Sequence, residues 1–246
     1  MKKAAVFINV LTLFFCLTPV SFAYEAIPFR NGGHIEGVVE FTGNVLPKDK
    51  TFTISSDVKY CGKEHRTERY LINAEGRVKN VVVYLKEIKA GKAVPEETVT
   101  VLDSQCTFIP HVSIGFKGNK FMLKNEDPVL HTGHIYSYLR GKTLFNIALP
   151  EKGSTITKTL TRTGLMELNC DCHPWMDSFV YVFDHPYAAV TDEQGKFVLK
   201  DVPPGVYTVV AWHESLGTVE LSNVTVQSEK TSSIKLNYTH MQKEGR

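Results

Sequence analysis

Apolar residues in this chain recur mainly at every second position, in short runs divided by Gly, Pro, Asn and Asp. That is the period of strands, not of helices. In residues 33–43, Ile35, Val38, Val39 and Phe41 alternate with polar or small neighbours and predict a half-buried strand. Residues 77–88 carry the β-branched run Val78, Val81, Val82, Val83, Tyr84 and Leu85 between Gly76 and Gly91, which predicts a buried strand. Further strands are predicted over 98–114 with a break at Pro110, then over 120–124, 143–149, 154–160, 165–168 and 179–183. Residues 48–69 are polar and show no clear period. After His185-Pro186, turn signals at 191–195 and at Val202-Pro203-Pro204-Gly205 set off strands over 196–199 and 206–210, with two more near 218–221 and 232–236. Many short strands at near-regular spacing predict an all-β protein built as an antiparallel sandwich or barrel.

The N-terminus breaks the pattern. Lys2 and Lys3 precede an apolar run over 4–17, and Ser21-Phe22-Ala23 supplies the small residues of a secretory cleavage site, which predicts an export signal over 1–23 cut after Ala23. Phe14-Phe15 before Cys16 does not suit a lipoprotein cleavage site. No later stretch approaches the ~18 apolar residues of a membrane span, so a periplasmic or secreted protein is expected. Losing Lys2 and Lys3 takes the basic total from 28 to 26, equal to the 26 acids, and nothing suggests a nucleic-acid partner.

The most specific chemistry lies in Asn169-Cys170-Asp171-Cys172-His173-Pro174-Trp175-Met176. A thiol, an imidazole and a thioether within seven residues are the donors that suit copper moving between its two oxidation states. A type-1 site needs one more imidazole, for which His131 and His134 are the candidates, and the thiolate form makes metal binding weaken at low pH. With Cys170 on the metal, Cys61, Cys106 and Cys172 allow at most one bridge, expected between Cys61 and Cys106. Cys172 is then a free thiol, and a bridge to Cys170 would be strained across so short a span. His111 is expected to be structural. Trp212-His213-Glu214 is expected to be a strand end running into a turn. Covalent haem attachment is not expected, because Cys170-Asp171-Cys172-His173 lacks the second spacer residue that it requires.

Phe108-x-Pro110, Gly118, Asn125-x-Asp127 and His131-x-x-His134, followed by Cys170-x-x-His173-Pro174 and Met176, resemble the cupredoxins, and the tight ligand loop is most similar to that of amicyanin. The resemblance covers about residues 98–184. It implies one type-1 copper ion with His131, Cys170 and His173 as equatorial ligands and Met176 as the axial one. It also implies a loop histidine whose edge reaches the surface inside an apolar patch to which Pro174 and Trp175 contribute. Thr132 stands where the family has Asn, so the tether between the two ligand loops is expected to be weaker or differently made. A second resemblance, to carboxypeptidase regulatory-like, transthyretin-type domains, rests on Gly37-Val38-Val39, Val81-Val82-Val83, Thr191-Asp192-x-x-Gly195-x-Phe197 and Pro204-Gly205-x-Tyr207.

Together these imply a cupredoxin-like Greek-key sandwich over 101–186, inserted into a smaller transthyretin-like sandwich made from segments 24–100 and 187–246. The expected function is single-electron transfer with an unidentified redox partner protein, without enzymatic activity, since no nucleophile, base and acid stand in a catalytic pattern. Copper storage or delivery without redox turnover, or a structural β module with a vestigial site, are the alternatives. The chain has no methionine cluster of the sort a delivery site would use.

Overall fold

The computed structural model describes residues 23–44, 48–138 and 141–240, so the predicted export signal lies outside the described residues apart from Ala23. No described helix is long and apolar enough to cross a membrane. The fold is all-β, as the alternation predicts, and its strands form four main sheets.

The outermost sheet on one side orders Thr155–Thr159, Lys120–Asn125, Thr98–Ser104 and Thr107–Ile109. Against it packs a five-stranded sheet of Lys142–Leu149, His131–Ser137, Gly164–Asn169, Asp177–Phe183 and Val112–Phe116. Val101, Phe121 and Leu123 of the first meet Ile135, Leu149, Leu168 and Val180 of the second in one core. A third sheet orders Ala188–Val190, Val82–Leu85, Gly205–His213 and Gly217–Val226. A fourth orders Lys196–Val202, Gly33–Phe41 and Thr231–Tyr238. Ile35, Val39, Leu199 and Leu236 meet Val83, Leu85, Val209 and Ala211 in a second core.

These two sandwiches are themselves stacked. Val112, Phe116, Leu165, Phe179 and Phe183 pack on Val82 and Trp212, so the five-stranded sheet and the third sheet each have both faces covered. Along Asp177–Phe183 the period of two survives, with Val180 and Val182 facing one core and Phe179 and Phe183 the other. Along 81–85, Val81, Val83 and Leu85 face one core and Val82 the other, which is why the run reads as uniformly apolar.

The chain leaves the third sheet after Val82–Leu85 and returns beside the same strand, with Ala188 opposite Tyr84 and Val190 opposite Val82. The strand-like stretch over 98–114 is three strands instead of one interrupted strand. Gln105 and Cys106, both at positive φ (53° and 55°), turn the first into the second, and the third joins the other sheet. His131–Ser137 is a strand that the alternation did not single out. The polar residues 48–69 fold as a small hairpin, Thr51–Thr53 with Glu64–Arg66, around the one-turn helix Val58–Cys61.

Replacing residues 101–186 by a short Gly-Ser linker is expected to leave a copper-free β protein with a cooperative thermal transition. An unfolded product would show that the flanking sandwich cannot stand without the inserted strands.

Candidate metal centre

Strands Gly164–Asn169 and Asp177–Phe183 are antiparallel neighbours, with Asn169 opposite Asp177, so residues 170–176 form the tight connection at their end. The loop closes on itself through Met176 N–H to the His173 carbonyl (2.9 Å) and Cys170 N–H to the Met176 carbonyl (3.4 Å). His131–Ser137 flanks Gly164–Asn169 on the other side, with His134 opposite Asn169, which carries His131 past the strand end and over the loop.

Three of the four predicted ligands converge. His131 Nδ1 lies 3.0 Å from His173 Nδ1 and 3.8 Å from Cys170 Sγ, and His173 Nδ1 lies 3.6 Å from the same sulfur. A point equidistant from the three is about 2.0 Å from each, the length of a transition-metal bond to imidazole and only slightly short for thiolate. Both histidines are fully buried, and Cys170 is 2% exposed. Met176, the predicted axial donor, is buried in the same core as Cys170 and Trp175.

Each imidazole is aimed from behind. His131 Nε2 pairs with Asp127 Oδ2 and His173 Nε2 with Asp57 Oδ2, both at 3.0 Å. A carboxylate accepts only, so each Nε2 carries the proton and each Nδ1 lone pair faces inward, the carboxylate–imidazole–metal arrangement of metal sites. The space between the nitrogens and the sulfur therefore takes a metal cation or a shared proton.

Asp127 is itself held by Gln105 N–H, Cys106 N–H and the Tyr60 hydroxyl, each at 2.8 Å. Burial alone would raise its pKa, but these donors and His131 outweigh burial and keep the carboxyl below its usual range. For His131 burial wins over Asp127, lowering its pKa and favouring the neutral imidazole that a metal needs. Asp127 and His131 also lie within ligating reach of Cys106, but that sulfur is bonded to Cys61, the predicted bridge, and has no thiolate to offer.

Thr132 replaces the expected Asn tether. Its N–H points at Cys170 Sγ (3.4 Å), and its hydroxyl accepts from Asp171 N–H (2.7 Å), so one residue ties the sulfur and the loop to the neighbouring strand. His134 stays outside the donor group, 2.8 Å from Asp171 and hydrogen-bonded to Thr143. Cys172 is a free thiol beside Cys170, and its pKa is raised by burial and by Cys170.

The expected surface edge of His173 does not exist. Pro174 is exposed, but Trp175 is 5% exposed with its indole N–H on the Cys106 carbonyl (3.0 Å), and residues 49–67 lie over His173. Sequence reasoning also missed Asp57, Tyr60 and Glu214. The one local hint for the first two was Cys61, whose bridge to Cys106 fixes that segment beside the site.

Glu214 belongs to a buried cluster at the junction of the sandwiches. As expected, His213 ends a strand and a turn follows, but the Glu214 side chain is 5% exposed and pairs with His111 Nε2. His111 Nδ1 donates to the carbonyl of Asp177, the residue after Met176, at 3.2 Å. Arg69 pairs with Asp177 and with Glu214. With an acceptor at each ring nitrogen His111 is held as a cation. Burial pulls its pKa down, but Glu214 and Asp177 together bring it up to about 8. Asp103 is a different case. Both carboxyl oxygens lack a hydrogen-bond partner, and burial, with the nearby Asp127, raises its pKa to about 8.

Residues 178–239 match the carboxypeptidase regulatory-like domain. No curated protein matches the chain. Among solved structures, a purple cupredoxin from Nitrosopumilus maritimus is 20% identical, with 35% of this chain and 99% of that one covered, at a TM-score of 0.31. Amicyanin from Paracoccus versutus is 18% identical, with 37% and 85% covered, also at 0.31. A copper-containing nitrite reductase from Thermus scotoductus is 21% identical at 0.31, with 41% of this chain covered, and the match spans 25% of the reductase.

The His111 and Asp103 shifts have the same sign. Each folded pKa lies above the unfolded value, so each contribution is complete below the unfolded pKa and is lost as pH rises through about 8. The thermal midpoint of the metal-free protein is expected to fall between pH 6.5 and 8. Glu214→Gln should flatten that fall within the same window, and Asp103→Asn should flatten the slope from about pH 4 to 8. Midpoints read by circular dichroism across a buffer series check both.

Proposed function

We propose that the protein is an exported carrier of single electrons, holding one copper ion in a type-1 site made by His131, Cys170 and His173, with Met176 as the axial donor. The observation that carries this reading is the inward-facing triangle of two Nδ1 atoms and one Sγ, with both imidazoles fixed by carboxylates behind them. One thiolate and two imidazoles with a thioether nearby suit copper more than calcium or magnesium, which take oxygen donors.

Bound copper would supply the one-electron couple. The chain's part is to hold the donors still. Asp127 and Asp57 fix the imidazole rings, Thr132 N–H fixes the sulfur and withdraws charge from it, and the surrounding core excludes water. Donors that cannot rearrange favour a carrier. With both imidazoles and the sulfur buried, no open position faces solvent for a substrate, and for that reason we read the protein as a carrier and not an enzyme. Storage or delivery is the second reading. Complete burial of His173 favours retention over release, so within that reading storage ranks ahead of delivery.

Copper(II) added to the metal-free protein is expected to produce an intense visible band from thiolate-to-copper charge transfer, lost in Cys170→Ser. Met176→Leu should keep the band and raise the reduction potential, since a weak axial donor tunes the potential without making the band. A copper-loaded wild type without the band, or Cys170→Ser with it, would overturn the type-1 assignment. Repeated reduction and reoxidation without metal loss separates the carrier from the store.

A further inference from the structure

Of residues 49–67 the proposed function uses only the Asp57 carboxylate. This segment lies outside the strands that build the metal loop, yet it touches the site at every level. Asp57 supplies the acceptor for His173 Nε2 at 3.0 Å. Tyr60 donates to Asp127, the acceptor for His131 (2.8 Å). Cys61 Sγ lies 4.0 Å from His173 Nε2 and is bonded to Cys106, whose N–H holds the other oxygen of Asp127. Ser56 donates to the Cys172 carbonyl at 3.2 Å, and Ile54 is 5% exposed in the core that contains Cys170 and Met176. The segment is pinned at its base by Asp49, which accepts from the Thr67 hydroxyl and from Tyr70 N–H.

We propose that residues 49–67 are a cap built into the metal centre, in which Asp57 is the positioning residue of His173 and the Cys61–Cys106 bridge keeps the cap closed against metal exchange. The inference shares the donor residues of the proposed function but not its redox chemistry, since any thiophilic divalent cation held by the three donors would be retained in the same way.

Physical reasons set the direction of each effect. An acceptor on Nε2–H fixes the ring so that Nδ1 points at the metal and makes that nitrogen a stronger donor, and losing such a partner commonly costs about 10–100-fold in affinity. Leaving the site requires His173 to swing out, and Asp57, Cys61 and Trp175 occupy that path. The bridge ties the segment covalently to Cys106, whose N–H holds Asp127, so the segment stays beside the site while the bond is intact.

Zinc(II) tests the cap without invoking electron transfer. The zinc-loaded protein is mixed with excess chromophoric chelator, and the release rate and affinity are read for three variants. Asp57 sits at φ 50°, so Asp57→Gly deletes the carboxylate without a backbone penalty. It is expected to release zinc at least about tenfold faster and to bind about 10–100-fold more weakly. Asp57→Asn, which keeps an acceptor oxygen, should recover most of the loss. The Cys61→Ser/Cys106→Ser pair should speed release by a similar factor, as should reduction of the wild type by a phosphine reductant, which lacks thiols to compete for zinc and needs no refolding. Asp57 is 43% exposed, so a purely structural role would leave affinity and rate unchanged in Asp57→Gly. Wild-type rates in Asp57→Gly and in the reduced wild type overturn the proposal. Zinc held tightly in a protein whose copper form lacks the charge-transfer band overturns the type-1 reading and leaves the cap standing.

Discussion

Two imidazole nitrogens can face each other at 3.0 Å only around a shared proton or a metal ion. Everything near the centre follows from that constraint. Each ring needs its other nitrogen satisfied by an acceptor, so a buried carboxylate must stand behind His131 and another acceptor behind His173. A buried carboxylate needs donors of its own, and Asp127 finds them in two backbone N–H groups of the turn at Gln105 and Cys106 and in Tyr60. That turn is set by the paired strands on either side of it, and through Cys106 it holds Cys61 and its segment beside the site. A demand at one pair of nitrogens thus extends through several shells to a segment more than a hundred residues away along the chain.

The sequence made the donors legible because they are carried by short spacings. Cys170, His173 and Met176 lie in one connection between paired strands, and His131 opens the strand next door. The framework was legible for a related reason. A period of two shows wherever one face of a sheet is wet, and where both faces are covered, as along 81–85, the β-branched composition carries the signal instead. What stayed hidden depends on long-range pairing. Asp57 meets His173 across 116 residues and His111 meets Glu214 across 103, and no local pattern marks either residue. The surface edge of His173 was expected from the shape of the loop alone, and it failed because a polar segment without a period turned out to lie on top of it.

The same loop also joins the two sandwiches. Met176 ends the ligand loop, and the next residue, Asp177, is held through its carbonyl by His111 and through its carboxylate by Arg69, both of which reach Glu214 in the flanking sandwich. Beside this polar contact the aromatic rings of Phe179, Tyr181 and Trp212 meet edge to face across the junction. The metal loop is therefore buttressed from two directions, by the cap above and by the flanking sandwich alongside, and its geometry does not depend on its own strands alone.

The strand Gly33–Phe41 has a consequence for how the molecule is made. Its neighbours are Lys196–Val202 on one side and Thr231–Tyr238 on the other, so it is synthesised long before either partner exists. The inserted strands over 98–183 pair only among themselves and can close while the first strand still waits. This topology lets the inserted strands close before the flanking sheet is complete. During that interval an apolar strand with two open edges is exposed, the species most prone to pair with another chain. The open edge of Gly33–Phe41 is closed only when Thr231–Tyr238 arrives.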